Sequence, residues 1–564
     1  MEDRRTLAAF LAIGVILLVL PYYYEWLGLG GQHAVSPEAA DRAVERDTEA
    51  ASTGSGPPGE AGSNASQREA LRGALAPMEA HPFAERKIIV ETPLQRLSFS
   101  TRGGTLTGCE LLEYARVDGS PVELLPTGGR GLLVGLKQGT DATAGLENVE
   151  FVPSADRLEV QRGQEAVLRL RANLGSGAVV DKTLRFSGDR YGFWLTVDCS
   201  GLEPDTEIVL GWDGAVAITE EEASADLREA RLLAMLGGSV TKLRASGTDR
   251  EKEWEERGAV QWVGARGKYF LIALAPGGES ARTTVRLRAA GRGKGVLPAY
   301  AFELRGRPSG TGRWESLVYL GPLEYRGLAG YGAELERAID FGWPVVRQIS
   351  WLLLVVFRWT YRLVPNYGWI IVLFGVAIKI VLYPLTHKTY ESSARMQELQ
   401  PELEVLREKY ANDQQRLSKE TMRLYRDKGV NPLGGCLPML LQMPVFFALY
   451  NLLGRTIELR QAPFVLWIRD LSVPDSLMVA GVEIHVLPIL MGASMLVQQK
   501  MTMKDPKQAM LVYLMPAMMV FIFWSMSSGL VLYWSVFNVL SIAQQAAVSR
   551  LGPAYVGQER RRGR

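Results

Sequence analysis

At 564 residues with a formal net charge of +2, the chain is long enough for several domains and too balanced in charge to suggest nucleic acid as a partner. Its three cysteines exclude a disulfide framework. Charged residues concentrate between Ser36 and Arg337 and in a few short loops, whereas apolar runs recur toward the C-terminus, so a soluble domain joined to a membrane bundle is expected.

Residues 7–20 are uninterruptedly apolar and follow Arg4 and Arg5, a pattern that a cleaved signal peptide shares. A small-x-small cleavage site is missing, and Pro21, Tyr22, Tyr23, Tyr24 and Trp26 resemble an interfacial anchor. Residues 1–29 therefore read as an uncleaved membrane anchor with a cytoplasmic N-terminus. Residues 30–82 are rich in Ala, Gly, Ser, Pro and Glu and bury too little apolar surface to order themselves, which makes them a tether.

Residues 83–328 read as an all-β sandwich. Runs rich in β-branched and aromatic residues at 87–91, 183–186 and 191–198 alternate with turn signals at Arg102-Gly103-Gly104, Asp118-Gly119-Ser120 and Ser187-Gly188-Asp189. A helix is expected over 220–231. Cys109 and Cys199 either pair, if this domain is exported, or stay as core thiols; Cys436 sits in an apolar run as packing. Acidic residues such as Asp213 and Glu315 read as solvated surface, and no catalytic constellation stands out. In 329–365 the apolar run 349–357 is too short to span a bilayer. It is flanked by Arg347, Arg358 and Arg362 and interleaved with Trp343, Trp351 and Trp359, the pattern of an interfacial helix.

Five further spans are expected within 366–550, at 369–385, 434–453, 486–501, 509–526 and 530–547, making six with the anchor. The loop 387–432 carries Lys388, Arg395, Arg407, Lys409, Arg416, Lys419, Arg423, Arg426 and Lys428. Lys500, Lys504 and Lys507 mark a second basic loop, and the tail 551–564 is basic as well, whereas 456–485 is mostly acidic. The positive-inside rule then places both termini in the cytoplasm and the β domain outside. Within 387–432, Leu399, Leu403, Leu406 and Tyr410 form a narrow stripe, Asn412-Asp413 breaks it, and Leu417, Leu424 and Tyr425 follow. A charged helical hairpin results, serving either as a topology signal or as a docking surface.

Lys379 is the anomaly of the membrane part. A lysine near the bilayer centre costs about 2.5–3.5 kcal/mol on insertion scales, so it either snorkels to the headgroups or serves a function. None of the six runs contains Asp or Glu. Trp534, Asn538, Ser541 and Gln545 are spaced for one helical face, and Gln442, Ser494 and Gln498 add polar groups elsewhere. These residues are either interhelical glue or the lining of a half-polar groove. Met439, Met443, Met491, Met495, Met510, Met515, Met518 and Met519 either fill the core or offer an adaptable apolar surface.

At these residues the sequence resembles the YidC membrane-protein insertase family in its Gram-negative form. The resemblance is carried by Tyr383-Pro384-Leu385-Thr386, Leu399-Gln400-Pro401 and Asn431-Pro432-Leu433-Gly434-Gly435-Cys436-Leu437-Pro438, continuing to Gln442-Met443-Pro444. It extends through Glu458-Leu459-Arg460-Gln461-Ala462-Pro463-Phe464, Leu487-Pro488-Ile489-Leu490-Met491-Gly492 and Ser528-Gly529-Leu530-Val531-Leu532-Tyr533. It implies a client groove built from Lys379, Gln442, Ser494, Gln498, Tyr533, Trp534, Asn538 and Ser541. It also implies a surface along which client segments slide into lipid, at Met439, Met443, Pro444, Phe446 and Phe447. Arg395, Arg407, Lys409, Arg416 and Lys419 are the expected cytoplasmic docking residues.

In the family an arginine usually stands where this chain has Lys379, so the charge is kept without the planar fork. A polar residue one turn earlier is replaced by Gly375, and the family's tyrosine pair is here Tyr533-Trp534. Nascent membrane proteins, the Sec translocon, the ribosome and lipid are the implied partners, with no cofactor, no metal and no sequence-specific nucleic acid. Two other classes fit less well. A transporter predicts internal repeats, which the sequence lacks. An intramembrane enzyme needs a nucleophile–base pair, and His33, His81, His387 and His485 all fall in tethers or at membrane edges.

Overall fold

The computed structural model describes residues 75–77, 83–138, 143–174, 177–202, 206–245, 250–277, 283–291, 296–307, 312–384, 386, 398–429, 437–502 and 509–562. The anchor 1–29, nearly all of the tether, and Lys388, Arg395, Cys436, Lys504 and Lys507 lie outside them, as do the side chains of Met439 and of 548–564.

Two large sheets face each other. One runs Ser239–Leu243, Arg231–Leu236, Val260–Arg266, Phe270–Pro276, Arg313–Pro322, Gly192–Ser200, Ala178–Ser187, Glu165–Leu174 and Val152–Pro153, antiparallel throughout. The other is 12-stranded and places Thr206–Asp213 and Arg130–Gln138 at its middle. The expected strands are present as Lys87–Glu91, Ala178–Ser187 and Gly192–Ser200. Strict alternation explains the packing: in Glu165–Leu174 every second residue from Leu168 onward is buried, so one face meets the opposite sheet and the other stays wet. Phe99 of one sheet meets Phe186 of the other edge-on at 6.2 Å. Gly131 is required because a Cβ there would sit 2.4 Å from the Trp212 ring. Cys109 and Cys199 are free thiols, which resolves that alternative against a bridge.

Eight of the ten described helices lie C-terminal to the sandwich; two short ones, α1 (Ala223–Glu229) and α2 (Tyr325–Ala329), belong to it. α1 is shorter than the 220–231 expected. The segment from Leu323 to Ala338 lies on the outer face of the nine-stranded sheet, burying Leu328 and Leu335 against Trp262, Leu271 and Tyr319. Asp213 and Glu315 are half-buried rather than fully solvated.

The helical part comprises α3 (Pro344–Tyr361), α4 (Tyr367–Val381), the hairpin helices α5 (Gln400–Lys409) and α6 (Gln414–Asp427), α7 (Leu437–Arg455), α8 (Val486–Thr502), α9 (Ala509–Phe523) and α10 (Ser528–Arg562). The hairpin breaks where expected: the Asp413 side chain caps α6 by accepting from Arg416 N, and Lys428 pairs with Glu402 at 2.6 Å. α3 extends well beyond the apolar run that announced it. Val346, Leu353, Leu354 and Phe357 face the other helices, while Trp343, Trp351, Leu352 and Trp359 are exposed. Within α10, residues Ser528–Ala547 are long and apolar enough to cross a membrane; Tyr367–Val381 and Val512–Phe523 are shorter apolar helices.

Sandwich and helices are joined by charge. Arg460, just beyond α7, pairs with Glu220 at 2.8 Å with both side chains buried, and its Nη1 donates to Ala115 O. Glu229 gathers Arg231, Arg266 and Arg455 at 2.8–3.2 Å. Burial opposes the ionisation of Glu229, but Arg266, Arg455 and Arg231 outweigh it and hold its carboxyl below the usual range. Ile457, from the same loop, is buried in the sandwich core.

Candidate functional site

α10 is the hub of the helical part, packing on α4, α7 and α8. The polar residues expected on one of its faces therefore meet different partners. Ser541 Oγ accepts from Lys379 Nζ of α4 at 2.7 Å and donates to Phe537 O at 2.7 Å. The Lys379 ammonium also lies 4.4 Å from the centre of the Phe537 ring, a cation–π contact. Asn538 donates to Ser494 Oγ of α8 at 3.3 Å, while Ser494 donates to Met491 O. Gln442 of α7 donates to the Tyr533 hydroxyl. Trp534 packs with Phe446 of α7 and Phe523 of α9, at 5.2 and 5.7 Å.

Six of the eight expected groove residues are thus paired along α10, Lys379 with Ser541, Asn538 with Ser494 and Gln442 with Tyr533, as a packed polar seam. Lys379, Gln442, Asn538 and Ser541 are 7%, 7%, 5% and 0% exposed. Gln498 is half-buried on the same α8 face as Ser494, one turn on. Trp534 belongs instead with the half-buried Phe446, beside Phe447, Met443 and Pro444 on α7. Gly375 lets α4 and α10 approach: a Cβ there would meet Val536 at 3.2 Å. The hairpin residues lie apart from this seam; Lys409, Arg416 and Lys419 are exposed and Arg407 is half-buried.

Two features escaped the sequence reading. Phe537 stands one turn from both Tyr533 and Ser541, a spacing that would have pointed to it beneath Lys379. Thr386 exchanges hydrogen bonds with Gln544 at 3.1–3.4 Å, a second polar link between the C-terminal end of α4 and α10. Among the described residues, no group of His, Cys, Asp and Glu is placed to hold a metal ion.

Two family profiles cover most of the chain: the 60Kd inner membrane protein over 359–554 and the YidC periplasmic domain over 87–353. The membrane protein insertase YidC of Chlorobium phaeovibrioides is 36% identical over 485 residues, spanning 82% of each chain. The chain belongs to the YidC membrane insertase family. The Geobacter sulfurreducens insertase is likewise 36% identical, covering 82% of this chain and 85% of its own. A crystal structure titled as an active YidC insertase with its first transmembrane domain resolved aligns over 85% of this chain and 96% of that one. Its identity of 20% and TM-score of 0.35 add no weight to an assignment fixed by sequence. Membership makes the protein a non-enzymatic insertase of the inner membrane, with the sandwich as the family's periplasmic domain.

Proposed function

We propose that the seam around Lys379 opens to receive the short polar tail of a nascent membrane protein, while the client's apolar segment leaves along α7 and α10 into lipid. The observation that carries this reading is the way the lysine is held. Its hydroxyl partner Ser541 keeps its own bond to Phe537 O when the ammonium turns away, so exchanging Ser541 for a client carboxylate strands no donor on Ser541. Acidic tail residues gain attraction from Lys379, and the seam's polar groups replace part of the water the tail gives up. Burial of the client helix in lipid supplies the driving force, and the membrane potential assists acidic tails.

In this reading α4, α7, α8, α9 and α10 are membrane spans, the anchor 1–29 is the sixth, and α3 lies in the interface. Both termini are cytoplasmic. Met439, Met443, Pro444, Phe446 and Phe447 form the exit surface. The hairpin residues Arg395, Arg407, Lys409, Arg416 and Lys419, with the basic tail, meet nascent chains or the ribosome, and the protein works alone or with the Sec translocon. The test is reconstitution into proteoliposomes with a single-span client carrying an acidic translocated tail. Insertion above that of empty liposomes is expected, and insertion no better than empty liposomes would reject autonomous action.

A further inference from the structure

The loop between α7 and α8 ends in a small antiparallel hairpin, Leu477–Val479 with Val482–Ile484. Its register pairs Leu477 with Ile484, Met478 with Glu483 and Val479 with Val482. Paired residues share a face and neighbours along a strand alternate, so Leu477, Val479, Val482 and Ile484 make one wholly aliphatic face, with Met478 and Glu483 on the other. The turn residues Ala480 and Gly481 both have positive φ, 51° and 81°, the geometry that holds a two-residue hairpin in this register.

The outer pair on the aliphatic face is bare: Val479 is 47% exposed and Val482 62%. Strands of three residues are marginal in water by themselves, yet this hairpin is pinned at its base. Asp475 Oδ2 accepts from Leu487 N at 2.9 Å and from Trp467 Nε1 at 3.0 Å, and His485 bonds Asp475 O. The His485 ring stands edge-on to Trp524 at 4.8 Å, just beyond the end of α9. The base therefore meets the ends of α8 and α9 where Ile489, Leu490, Phe521, Ile522 and Trp524 are themselves exposed. The hairpin thus rises beside an apolar surface that, in the insertase reading, faces lipid.

We propose that the hairpin 477–484 is a lipid-contacting foot, lying on the outer leaflet with Val479 and Val482 among the acyl chains and Glu483 turned to water. The occupant is lipid because the base of the hairpin adjoins the lipid-exposed helix ends and because an aromatic of the kind that marks the headgroup level, Trp524, stands there. The proposal rests on the membrane topology given above.

The experiment places a genetically incorporated environment-sensitive fluorophore at Val482, at Glu483 or, as a reference on the sandwich, at Val117. Each full-length variant is reconstituted in phosphatidylethanolamine–phosphatidylglycerol vesicles. Lipids brominated near the headgroup are expected to quench the probe at 482 and shift its emission to the blue, while iodide in the external medium quenches the probe at 483. If 482 and 483 are both open to iodide and untouched by bromolipid, the foot does not exist. If 482 is shielded from both quenchers, protein covers the face and the proposal fails as well. A probe at 479 repeats the test should the variant at 482 fold poorly. The Val117 probe separates the two claims: external iodide must reach 117 and 483 in the same fraction of molecules, and opposite sidedness would overturn the topology rather than the foot alone.

Discussion

Among the described residues three lysines are buried, Lys182 and Lys268 in the sandwich and Lys379 among the helices, and the first and last are held differently. Lys182, at the centre of the sandwich, donates to Gly103 O at 2.7 Å, Leu132 O at 2.9 Å and Gly104 O at 3.0 Å, with the Phe151 ring 4.8 Å away. All three of its donors meet backbone carbonyls, which cannot leave without unmaking the sheet, and Leu132 is itself held at a φ of 59°. Lys379, among the helices, counts a side-chain hydroxyl and an aromatic ring among its partners. Such partners can turn away while the helices stay in place. The lesson is that burial alone does not mark a working charge; what matters is whether its partners are free to be exchanged.

The comparison breaks most visibly at Lys182. Replacing it with Met leaves three buried carbonyls without their donor, which at about 1–3 kcal/mol each, less some relaxation, should cost roughly 3–5 kcal/mol. Denaturant unfolding of the detergent-solubilised protein, followed through the sandwich tryptophans, measures this. A loss below about 1 kcal/mol would mean that the carbonyls find water and that Lys182 is no anchor. At the joint between the halves, Arg460→Leu strands the buried Glu220 carboxylate and should cost about 3–5 kcal/mol. The double change Glu220→Leu with Arg460→Leu should recover most of that. Limited proteolysis between sandwich and helices reads it out, and equal sensitivity of the single and double variants would remove the ion pair from the account.

A comparable effect comes from pH. Burial pushes the Lys182 amine from 10.5 down to about 7. Between these values the unfolded chain keeps the proton that the folded chain has shed, so the unfolded state binds more protons and stability rises with pH across that window. Below about pH 7 both states are protonated and this contribution is flat. The rise should be present in the native protein and absent from Lys182→Met; identical slopes would assign it to other groups. Smallest of all, Ser541→Ala should change stability by only about 0.5–1.5 kcal/mol, since it removes an exchangeable partner. Denaturant unfolding of the detergent-solubilised protein measures this too, and a change of several kcal/mol would make the Lys379 contact as structural as the other.

Much of the architecture was legible in the sequence because it rests on local rules. A run rich in β-branched and aromatic residues announced the strand within 178–187, Gly-containing turns announced the reversals, and Asn412-Asp413 announced the break in the hairpin. Lys379 was legible because charge in an apolar run is costly. Lys182 was not, because its carbonyl partners lie 50 to 79 residues away and carry no side-chain signature. The same holds for Arg460 and Glu220, 240 residues apart, each of which reads locally as ordinary surface charge. From their spacing alone, Trp534, Asn538, Ser541 and Gln545 were read as one helical face. Its division among α4, α7, α8 and α9 depends on how α10 is surrounded, which periodicity does not encode.

The central claim is that the charge at Lys379 is exchangeable and serves clients. The most direct measurement compares native protein and Lys379→Glu in proteoliposomes, each with one client whose translocated tail is acidic and one whose tail is neutral. The account predicts that reversal abolishes or sharply reduces insertion of the acidic-tailed client, largely spares the neutral one, and leaves the melting temperature of the sandwich unchanged. Equal insertion of both clients by both proteins would contradict it, reducing Lys379 to a charge that merely finds its way to the headgroups.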